Sequence, residues 1–355
     1  MFDSLPMVWL VVLFVVAAIA VWAAGIQLSD TTDVLSSRLG LGQALAGLIL
    51  LAIATNLPEL AITVTAAASD NLGIAIGNIL GGIAIQTVVL AFLDAKGVPD
   101  VPLTYRAASL VLVLEAALVI SMLMVVVLGT RLSPDVIWLR VTPAGIALLA
   151  SWLTGLWLVR RARNGLPWQE SGNPPDGQEE PRGIAHARKD QEMREQGRST
   201  REIAAVFLVA SLVTLAAGVV LEETSSAIAS RAGISGAVFG ATVLAAATAL
   251  PEVSTGLASL RLGDYQLAMS DIFGGNAFLP VLFVPAMLIS GSAVLPAAKS
   301  TDVYLTALGA ILTVIYIYGL IFRPTRKWLR MGPDSLLVVA IYALGVALLP
   351  LVTHH

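Results

Sequence analysis

The chain has 355 residues, of which 57% are hydrophobic and 13% charged, and its mean hydropathy is +0.84. This composition is typical of a membrane protein with many spans. The lack of cysteine excludes disulfides and thiolate metal sites, and the net charge of −3 provides no basic surplus for binding nucleic acid. The first apolar run follows Asp3 rather than a basic segment, so we interpret it as a retained span and not as a cleaved signal peptide.

Ten apolar runs have the length of about 17–25 residues that crosses a bilayer. They form two groups of five and predict an all-α polytopic membrane protein with ten transmembrane helices. We expect a first five-helix repeat at 1–158, a second at 203–355, and between them a polar tether at 159–202 that begins disordered and ends in a short surface helix. The runs lie at 7–26, 44–68, 72–93, 107–128, 136–158, 203–221, 237–260, 267–290, 303–322 and 336–352.

The distribution of Lys and Arg favours one orientation in the membrane. If the tether is cytoplasmic, 17 of the 21 basic residues lie in inner loops and four lie outside. The bias remains when the tether is left out, at eight against four. The positive-inside rule therefore predicts a multi-pass protein of the plasma membrane, the inner membrane of a prokaryote, with both termini outside.

The two halves of the chain repeat each other. The segment "RLGLGQALAGLILLAIATNLPEL", which starts at Arg38, aligns without a gap on "RAGISGAVFGATVLAAATALPEV", which starts at Arg231. The same offset of 193 residues places "GNILGGIA" at 77–84 on "SDIFGGNA" at 270–277. Because five spans are an odd number, the second copy enters the membrane from the opposite side. The sequence therefore predicts two inverted repeats, an architecture typical of secondary transporters.

Each repeat carries an acid and a proline inside an apolar helix. A proline in a helix frees a backbone carbonyl one turn earlier, and hydrocarbon tolerates such a carbonyl only where it lines a cavity or finds a ligand. Carboxylate, hydroxyl and carbonyl oxygens are the ligands that Ca²⁺ prefers. The aligned residues are Thr55, Pro58 and Glu59 in the first copy and Thr248, Pro251 and Glu252 in the second.

The two buried acids need a neutralising partner. A charge in the middle of a membrane helix costs about 2.5–3.5 kcal/mol on insertion scales. No Lys or Arg lies inside the helices that carry Glu59 and Glu252, so the neutraliser is expected to come from solution. One Ca²⁺ or two protons would balance the pair, and competition between these ions is the physical basis of antiport. A purely structural alternative is that both acids are protonated and hydrogen-bonded inside the bundle.

The paired motifs "TNLPEL" and "TALPEV", followed by "GNILGG" and "SDIFGG", resemble the two alpha repeats of the calcium/cation antiporter superfamily, which contains the sodium/calcium exchangers. The resemblance implies that Glu59 and Glu252 are the central calcium ligands and that Thr55 and Thr248 add oxygens. It also implies alternating access, in which the first helix of each half slides. It implies no cofactor beyond the transported ions, Ca²⁺ with Na⁺ or H⁺.

The sequence departs from the family pattern at several oxygen ligands. The family's G-T-S-x-P-E reads A-T-N-L-P-E at 54–59 and A-T-A-L-P-E at 247–252. Where the family carries G-S-N and then Asn or Asp three residues later, this chain has Gln86 in one copy and Leu279 in the other. Hydroxyl and carboxylate oxygens that would hold sodium are therefore missing, and coupling to protons gains weight.

Other polar residues near the motifs complete the candidate set. Asp271, which aligns with Asn78, is a third carboxylate or proton relay in one interpretation and a helix cap in the other; Asn78 is a ligand or an interhelical hydrogen-bonding group. The predicted cation ligands are Glu59, Glu252, Thr55, Thr248, Asp271, Asn78, Asn56 and Gln86.

Two further acids are ambiguous. Glu115 is interpreted as a proton-pathway residue or as the partner of a polar group on another helix, and Glu222 as part of a solvated helix end. No motif of a soluble enzyme occurs. The leading hypothesis is a cation antiporter; the alternatives are a cation channel and a transport-dead membrane sensor or scaffold. The expected partners are small cations and the bilayer, with homo-oligomerisation left open.

Overall fold

A computed structural model describes residue 2 and residues 5–38, 55–163, 165–168, 191 and 197–352. Apart from two isolated β-bridges, the secondary structure in these ranges is helical, which confirms the predicted all-α class. We number the helices in chain order: α1 Met7–Arg38, α2 Leu57–Ala68, α3 Leu72–Gly97, α4 Leu103–Ala107, α5 Leu110–Gly129, α6 Pro143–Arg163, α7 Thr200–Ala232, α8 236–248, α9 Leu250–Arg261, α10 Tyr265–Phe278, α11 Phe283–Ser290, α12 Ser300–Phe322 and α13 Pro333–Leu348. Short 3₁₀ turns occur at Leu279–Leu282, Leu295–Ala297 and Leu349–Leu351.

The described part of the chain contains eight helical stretches that are long and apolar enough to cross a membrane, or nine if the bent pair α8 and α9 is one span. In this count, Tyr265–Ser290, which contains α10 and α11, is one stretch, and Pro333–Leu351, which contains α13, is another. The predicted run at 44–68 lies partly outside the described residues, and its described end is α2. The count of ten spans therefore stays a prediction. The predicted tether at 159–202 also lies mostly outside the described residues, although α6 reaches Arg163.

Two spans are longer than their apolar runs predicted. Helix α7 continues to Ala232 rather than ending at 221, and α1 continues to Arg38 rather than ending at 26. A capping box starts α7, in which Ser199 and Glu202 bond each other's backbone N–H, and Gly233 ends it with a φ of 68°. A hydropathy pattern predicts the end of a helix where polar residues begin, although the backbone of these two helices continues to be helical.

The helix that carries the second motif is broken at the motif. The axes of α8 and α9 differ by 44°, and Pro251 lies in the first turn of α9. A π-helical turn, Gly240–Leu244, precedes the break. Proline cannot donate the hydrogen bond that would continue the helix, which explains the bend. In the first repeat, α2 begins in the same way, with Pro58 in its first turn.

The bundle has a buried centre and two crossed helices at its side. Helices α3 and α10 form the centre and share one apolar core with α5 and α12. Helices α1 and α7 pack along each other, and each crosses a helix of the other half. Gly25 of α1 lies against Pro251, and Gly218 of α7 lies against Pro58 and Ala61. The offset that aligns the sequence repeats relates these two crossings.

Two turns of the same geometry, one before α6 and one before α13, form a second pair of similar features in the two halves. Each is a tight turn closed by two backbone hydrogen bonds of 2.8 and 2.9 Å, between Trp138 and Val141 and between Trp328 and Met331. The two central residues of each turn, at 139–140 and 329–330, have φ between 50° and 68°. The structural repeat therefore extends well beyond the acidic motif.

Candidate cation site

Glu59 and Glu252 lie in the first turns of α2 and α9, directly after their prolines. Glu59 is 0% exposed and Glu252 is 4% exposed, and the two carboxylates are close enough to interact electrostatically. The amino-terminal end of a helix carries partial positive charge from its unpaired N–H groups, which favours an anionic side chain there. The proline in each motif therefore starts a helix whose end supports the acid that follows.

The carboxylate oxygens of this pair have few hydrogen-bond donors. By distance and angle, neither oxygen of Glu59 accepts a hydrogen bond, and the nearby Thr248 hydroxyl donates to the carbonyl of Ala245 at 3.2 Å. Oε1 of Glu252 accepts from Nε2 of Gln86 at 3.4 Å, whereas Oε2 of Glu252 and Oε1 of Gln86 have no donor. Buried polar atoms are normally hydrogen-bonded, so four acceptor oxygens without a donor indicate a site suited to a cation.

Two amides connect the centre of the bundle to the acids. Nδ2 of Asn56 lies 3.5 Å from Oγ1 of its neighbour Thr55. A Cβ on Gly275 would lie 3.5 Å from Nδ2 of Asn56 and 3.7 Å from Oε1 of Gln86. A glycine at this position lets the backbone of α10 approach both amides. The structure thus brings Thr55, Asn56 and Gln86 together near Glu252.

Asp271 lies beside this group rather than within it. Its Oδ2 accepts the Thr255 hydroxyl at 3.0 Å, and its charge reaches Glu252. The cap of α10 is Asp264, which accepts from the N–H of Leu267 at 3.0 Å, so the helix-cap interpretation of Asp271 is wrong. Across the ranges the structure covers, no three acidic or histidine side chains converge on a common metal position. The protein oxygens around the two glutamates are mainly neutral.

Asn78 is apart from the other predicted ligands. It is fully buried, neither of its amide atoms has a hydrogen-bond partner, and it lies about two turns from Gln86 on α3. Its backbone packs against the π-helical turn of α8, where a Cβ on Gly240 would lie 3.1 Å from the Asn78 nitrogen. Among the described residues, its amide is hydrogen-bonded to no other predicted ligand.

One central polar residue was not predicted as a ligand. Asn276 is fully buried, and its Nδ2 donates to Oγ1 of Thr87 at 3.1 Å and to the carbonyl of Ile83 at 3.4 Å. Asn276 and Ile83 are equivalent positions of the two repeats, so this contact joins α3 to α10 near the axis that relates the halves. The sequence feature that could have predicted this residue is an amide side chain inside an apolar helix, directly after two glycines.

The structure also resolves the two ambiguous acids. Oε1 of Glu115 lies 3.3 Å from Nη2 of Arg163, which supports the interpretation of Glu115 as a partner of another helix. Glu222 is only 1% exposed and lies well inside α7, so its interpretation as part of a solvated helix end is wrong. The error followed from ending the sixth span at 221, because helix α7 encloses Glu222 and continues past it.

The sequence matches the family described as sodium/calcium exchanger protein over residues 9–160 and 202–349, which is most of the chain. The protein belongs to this family. It is therefore a membrane protein of the exchanger type, with antiport and calcium transport as the activity that the family supports. This agrees with the resemblance of the two acidic motifs.

Individual relatives agree with this assignment. Inner membrane protein YrbG of Escherichia coli (strain K12) is 25% identical over 317 residues, which are 88% of this chain and 90% of that protein. The crystal structure of the H⁺/Ca²⁺ exchanger CAX has a TM-score of 0.67 at 15% identity and covers 96% of this chain and 82% of its own. A structure of the sodium-calcium exchanger NCX_Mj has a TM-score of 0.57 at 16% identity and covers 96% and 99%. At these identities, the two structures show a common fold.

Proposed function

We propose that this exchanger-family protein is a secondary-active antiporter that exchanges Ca²⁺, or a related divalent cation, against H⁺ or Na⁺ at Glu59 and Glu252. The observation that carries the proposal is the set of buried acceptor oxygens without donors on Glu59, Glu252 and Gln86. Two carboxylates match the charge of one divalent cation, and the neutral oxygens nearby can complete part of its shell. Within the described ranges, neither glutamate has an ion pair that would compete with the cation.

We further propose that the site belongs to two inverted five-helix repeats that alternate access between the two sides of the membrane. The paired crossings at Gly25 and Gly218 and the paired turns before α6 and α13 support this arrangement. With the polar segment between the halves in the cytoplasm, both termini lie outside. The relative YrbG is named an inner membrane protein, which supports the same location for this chain.

We propose H⁺ as the preferred counter-ion. The first repeat places Gln86 against the site, whereas the equivalent residue of the second repeat is the apolar Leu279, which packs 3.6 Å from where a Cβ of Gly82 would lie. At this pair of equivalent positions, only the first repeat therefore supplies an amide oxygen. Glutamates can carry protons without extra ligands, whereas bound sodium ions require further oxygens. The exchanger CAX, which shares the fold, is named for H⁺ and Ca²⁺.

The test is calcium uptake into proteoliposomes that contain the purified protein. One set carries a proton gradient, a second carries a sodium gradient, and a third carries neither. We expect uptake with the proton gradient, and its loss in both Glu59→Gln and Glu252→Gln, because each variant removes one of the two charges that balance Ca²⁺. The exposed Gln27→Leu variant on α1 should transport like the wild type.

Three outcomes would contradict parts of the proposal. Uptake with sodium alone would contradict proton coupling while leaving antiport in place. Flux without any counter-gradient would indicate a channel. Wild-type rates in both glutamine variants would show that Glu59 and Glu252 do not form the transport site.

A further inference from the structure

A second polar group lies outside the site of Glu59 and Glu252, on helix α7. Glu222 is 1% exposed, and its Oε1 has no hydrogen-bond partner. Ser225, three residues later on the same helix face, is fully buried, and its hydroxyl also has no partner. Asn71, in the connection between α2 and α3, lies against Glu222, and its Nδ2 lies 3.4 Å from Oγ of Ser226. None of these residues contributes to the site described above.

This group lies about one helical turn from the motif of the first repeat. Gly218, four residues before Glu222, contacts α2, where a Cβ would lie 3.2 Å from the carbonyl oxygen of Pro58. Because one turn of an α-helix rises about 5.4 Å, Glu222 lies roughly that distance from Gly218 along α7, toward the end of α2. Glu222 therefore lies between Glu59 and the membrane surface where α2 joins α3.

The acidic residues around Glu222 favour the binding of a cation. The adjacent Glu223 is half-buried and has the same sign. Asp70, in the connection between α2 and α3, is exposed and is also acidic. Arg231, the basic residue in the last turn of α7, donates to the carbonyl of Leu5. Within the described part of the molecule, Glu222 has no ion pair, and a buried carboxylate without one is costly in a membrane.

The carboxylate of Glu222 has no equivalent in the other half. The offset that aligns the repeats places Ser29 of α1 at the position of Glu222, and Asp264, the cap of α10, at the position of Asn71. The opposite route to the site therefore has a serine in place of Glu222, and its acids, Asp30 and Asp264, lie at the positions of Glu223 and Asn71. Any function of Glu222 should act from one side of the membrane.

We infer that Glu222, with Ser225, Ser226 and Asn71, forms a loading station where partly hydrated Ca²⁺ pauses on its way to Glu59. The inference rests on the proposed antiport function. One carboxylate and a few neutral oxygens fall short of the six to eight ligands of a fully dehydrated Ca²⁺, so the ion keeps water and binds weakly. Weak binding is suited to a position along an ion pathway, because the ion must leave this position to reach the deeper site at Glu59.

The first test compares calcium transport from each side of the membrane. In vesicles of defined and opposite orientation, Glu222→Gln should raise the half-saturating Ca²⁺ about tenfold on the side of the α2–α3 connection, because the only charge of the station is lost. The half-saturating Ca²⁺ on the other side should stay within about twofold of the wild type. The matched control is Glu223→Gln, which removes the same charge from the adjacent, half-buried position and should give a clearly smaller shift on that side and none on the other. Equal shifts on both sides, or equal shifts in the two variants, would overturn the inference.

The second test measures binding and does not depend on transport. We expect the Glu59→Gln, Glu252→Gln double variant to retain weak, saturable binding of ⁴⁵Ca²⁺, and the addition of Glu222→Gln to abolish it. The addition of Glu222→Asp should restore part of it, since the charge returns on a shorter side chain. Absence of residual binding in the double variant, or its survival in the triple variant, would overturn the station even if antiport is confirmed. A wild type that binds Ca²⁺ in this way but moves none would instead overturn the proposed function.

Discussion

At the scale of single residues, the position of the acids explains how the membrane can hold them. Glu59 and Glu252 each follow a proline in the first turn of a helix, where free N–H groups face an anion. Gln86 holds one oxygen of Glu252 and leaves the other three carboxylate oxygens without a donor. The arrangement stabilises the pair enough to fold while keeping its oxygens available to an ion.

We expect Gln86→Leu to weaken calcium binding by about tenfold, since a hydrogen bond to a charged group contributes roughly 1.5–3 kcal/mol. The substitution places in the first repeat the residue type that the second repeat already has at Leu279. Isothermal titration of the purified protein with Ca²⁺ measures the change. The control is Gln27→Leu, the same chemical change on an exposed surface of α1; equal losses in both variants would refute a specific role for Gln86.

At the scale of elements, the crossings at Gly25 and Gly218 set the distance between the two halves. A Cβ on Gly25 would lie 2.6 Å from Cβ and Cγ of Pro251, and one on Gly218 would lie 2.6 Å from Cβ of Ala61. Both distances are far below normal van der Waals separation, so a methyl group would force the helices apart. The prolines that create the site are thus held by glycines on the opposite half.

Gly25→Ala and Gly218→Ala should each destabilise the protein by about 1–3 kcal/mol, the usual cost of overpacking a close contact. The control is Gly73→Ala on α3, because a Cβ there would meet no atom within 4 Å. That variant should be neutral or stabilising, since alanine favours helix over glycine. Thermal unfolding in detergent measures the three variants; equal melting temperatures in all of them would contradict the contacts.

A buried ion pair joins elements of the two halves on the side where α3 ends. Nζ of Lys327 lies 3.0 Å from Oδ1 of Asp94 and donates to the carbonyls of Asp94 and Val98 at 2.7 and 2.6 Å. The other oxygen of Asp94 accepts the N–H of Gly332 at 2.6 Å. This network fixes the connection between α12 and α13 to the end of α3.

Lys327→Met should destabilise the protein by about 3–5 kcal/mol, because it leaves the charge of Asp94 buried without its partner. The neighbouring Arg326 is exposed, so Arg326→Met removes a charge of the same sign and should change the melting temperature little. Denaturation of both variants in the same detergent gives the comparison. A Lys327→Met protein as stable as Arg326→Met would show that the pair contributes nothing.

The sequence alone predicted most elements but not their ends. Apolar runs located the helices, because each span must satisfy its own backbone in hydrocarbon. The burial of Glu222 was missed, since hydropathy treats an acid as the end of a span even when its neighbours cover it. The pairing of Glu115 with Arg163 was also out of reach, as it joins residues far apart in the chain. Glu59 and Glu252 could be predicted from the sequence because the acidic motif occurs twice, with the same neighbouring residues.

At the scale of the whole molecule, the proposed inverted repeat predicts on which side of the membrane each loop lies. The turns before α6 and α13 have the same backbone shape, and their tips, Leu139 and Leu329, are 96% and 83% exposed. If the halves are inverted and the polar segment between them is cytoplasmic, Leu139 lies outside and Leu329 lies inside.

Single-cysteine variants test this prediction directly, since the chain has no cysteine of its own. We expect a membrane-impermeant maleimide to label Leu139→Cys on intact cells and Leu329→Cys only after the membrane is opened. The cysteine-free wild type serves as the control. Labelling of both variants on intact cells would rule out the inverted arrangement.

The crossings at Gly25 and Gly218 also describe how the halves depend on each other. The first helix of each half packs on the helix that carries the glutamate of the other half, α1 on α9 and α7 on α2. The protein therefore resembles a swapped dimer whose two subunits share one chain. Residues 1–163 and 197–355, expressed as separate polypeptides, should form a working transporter when produced together and none when produced alone.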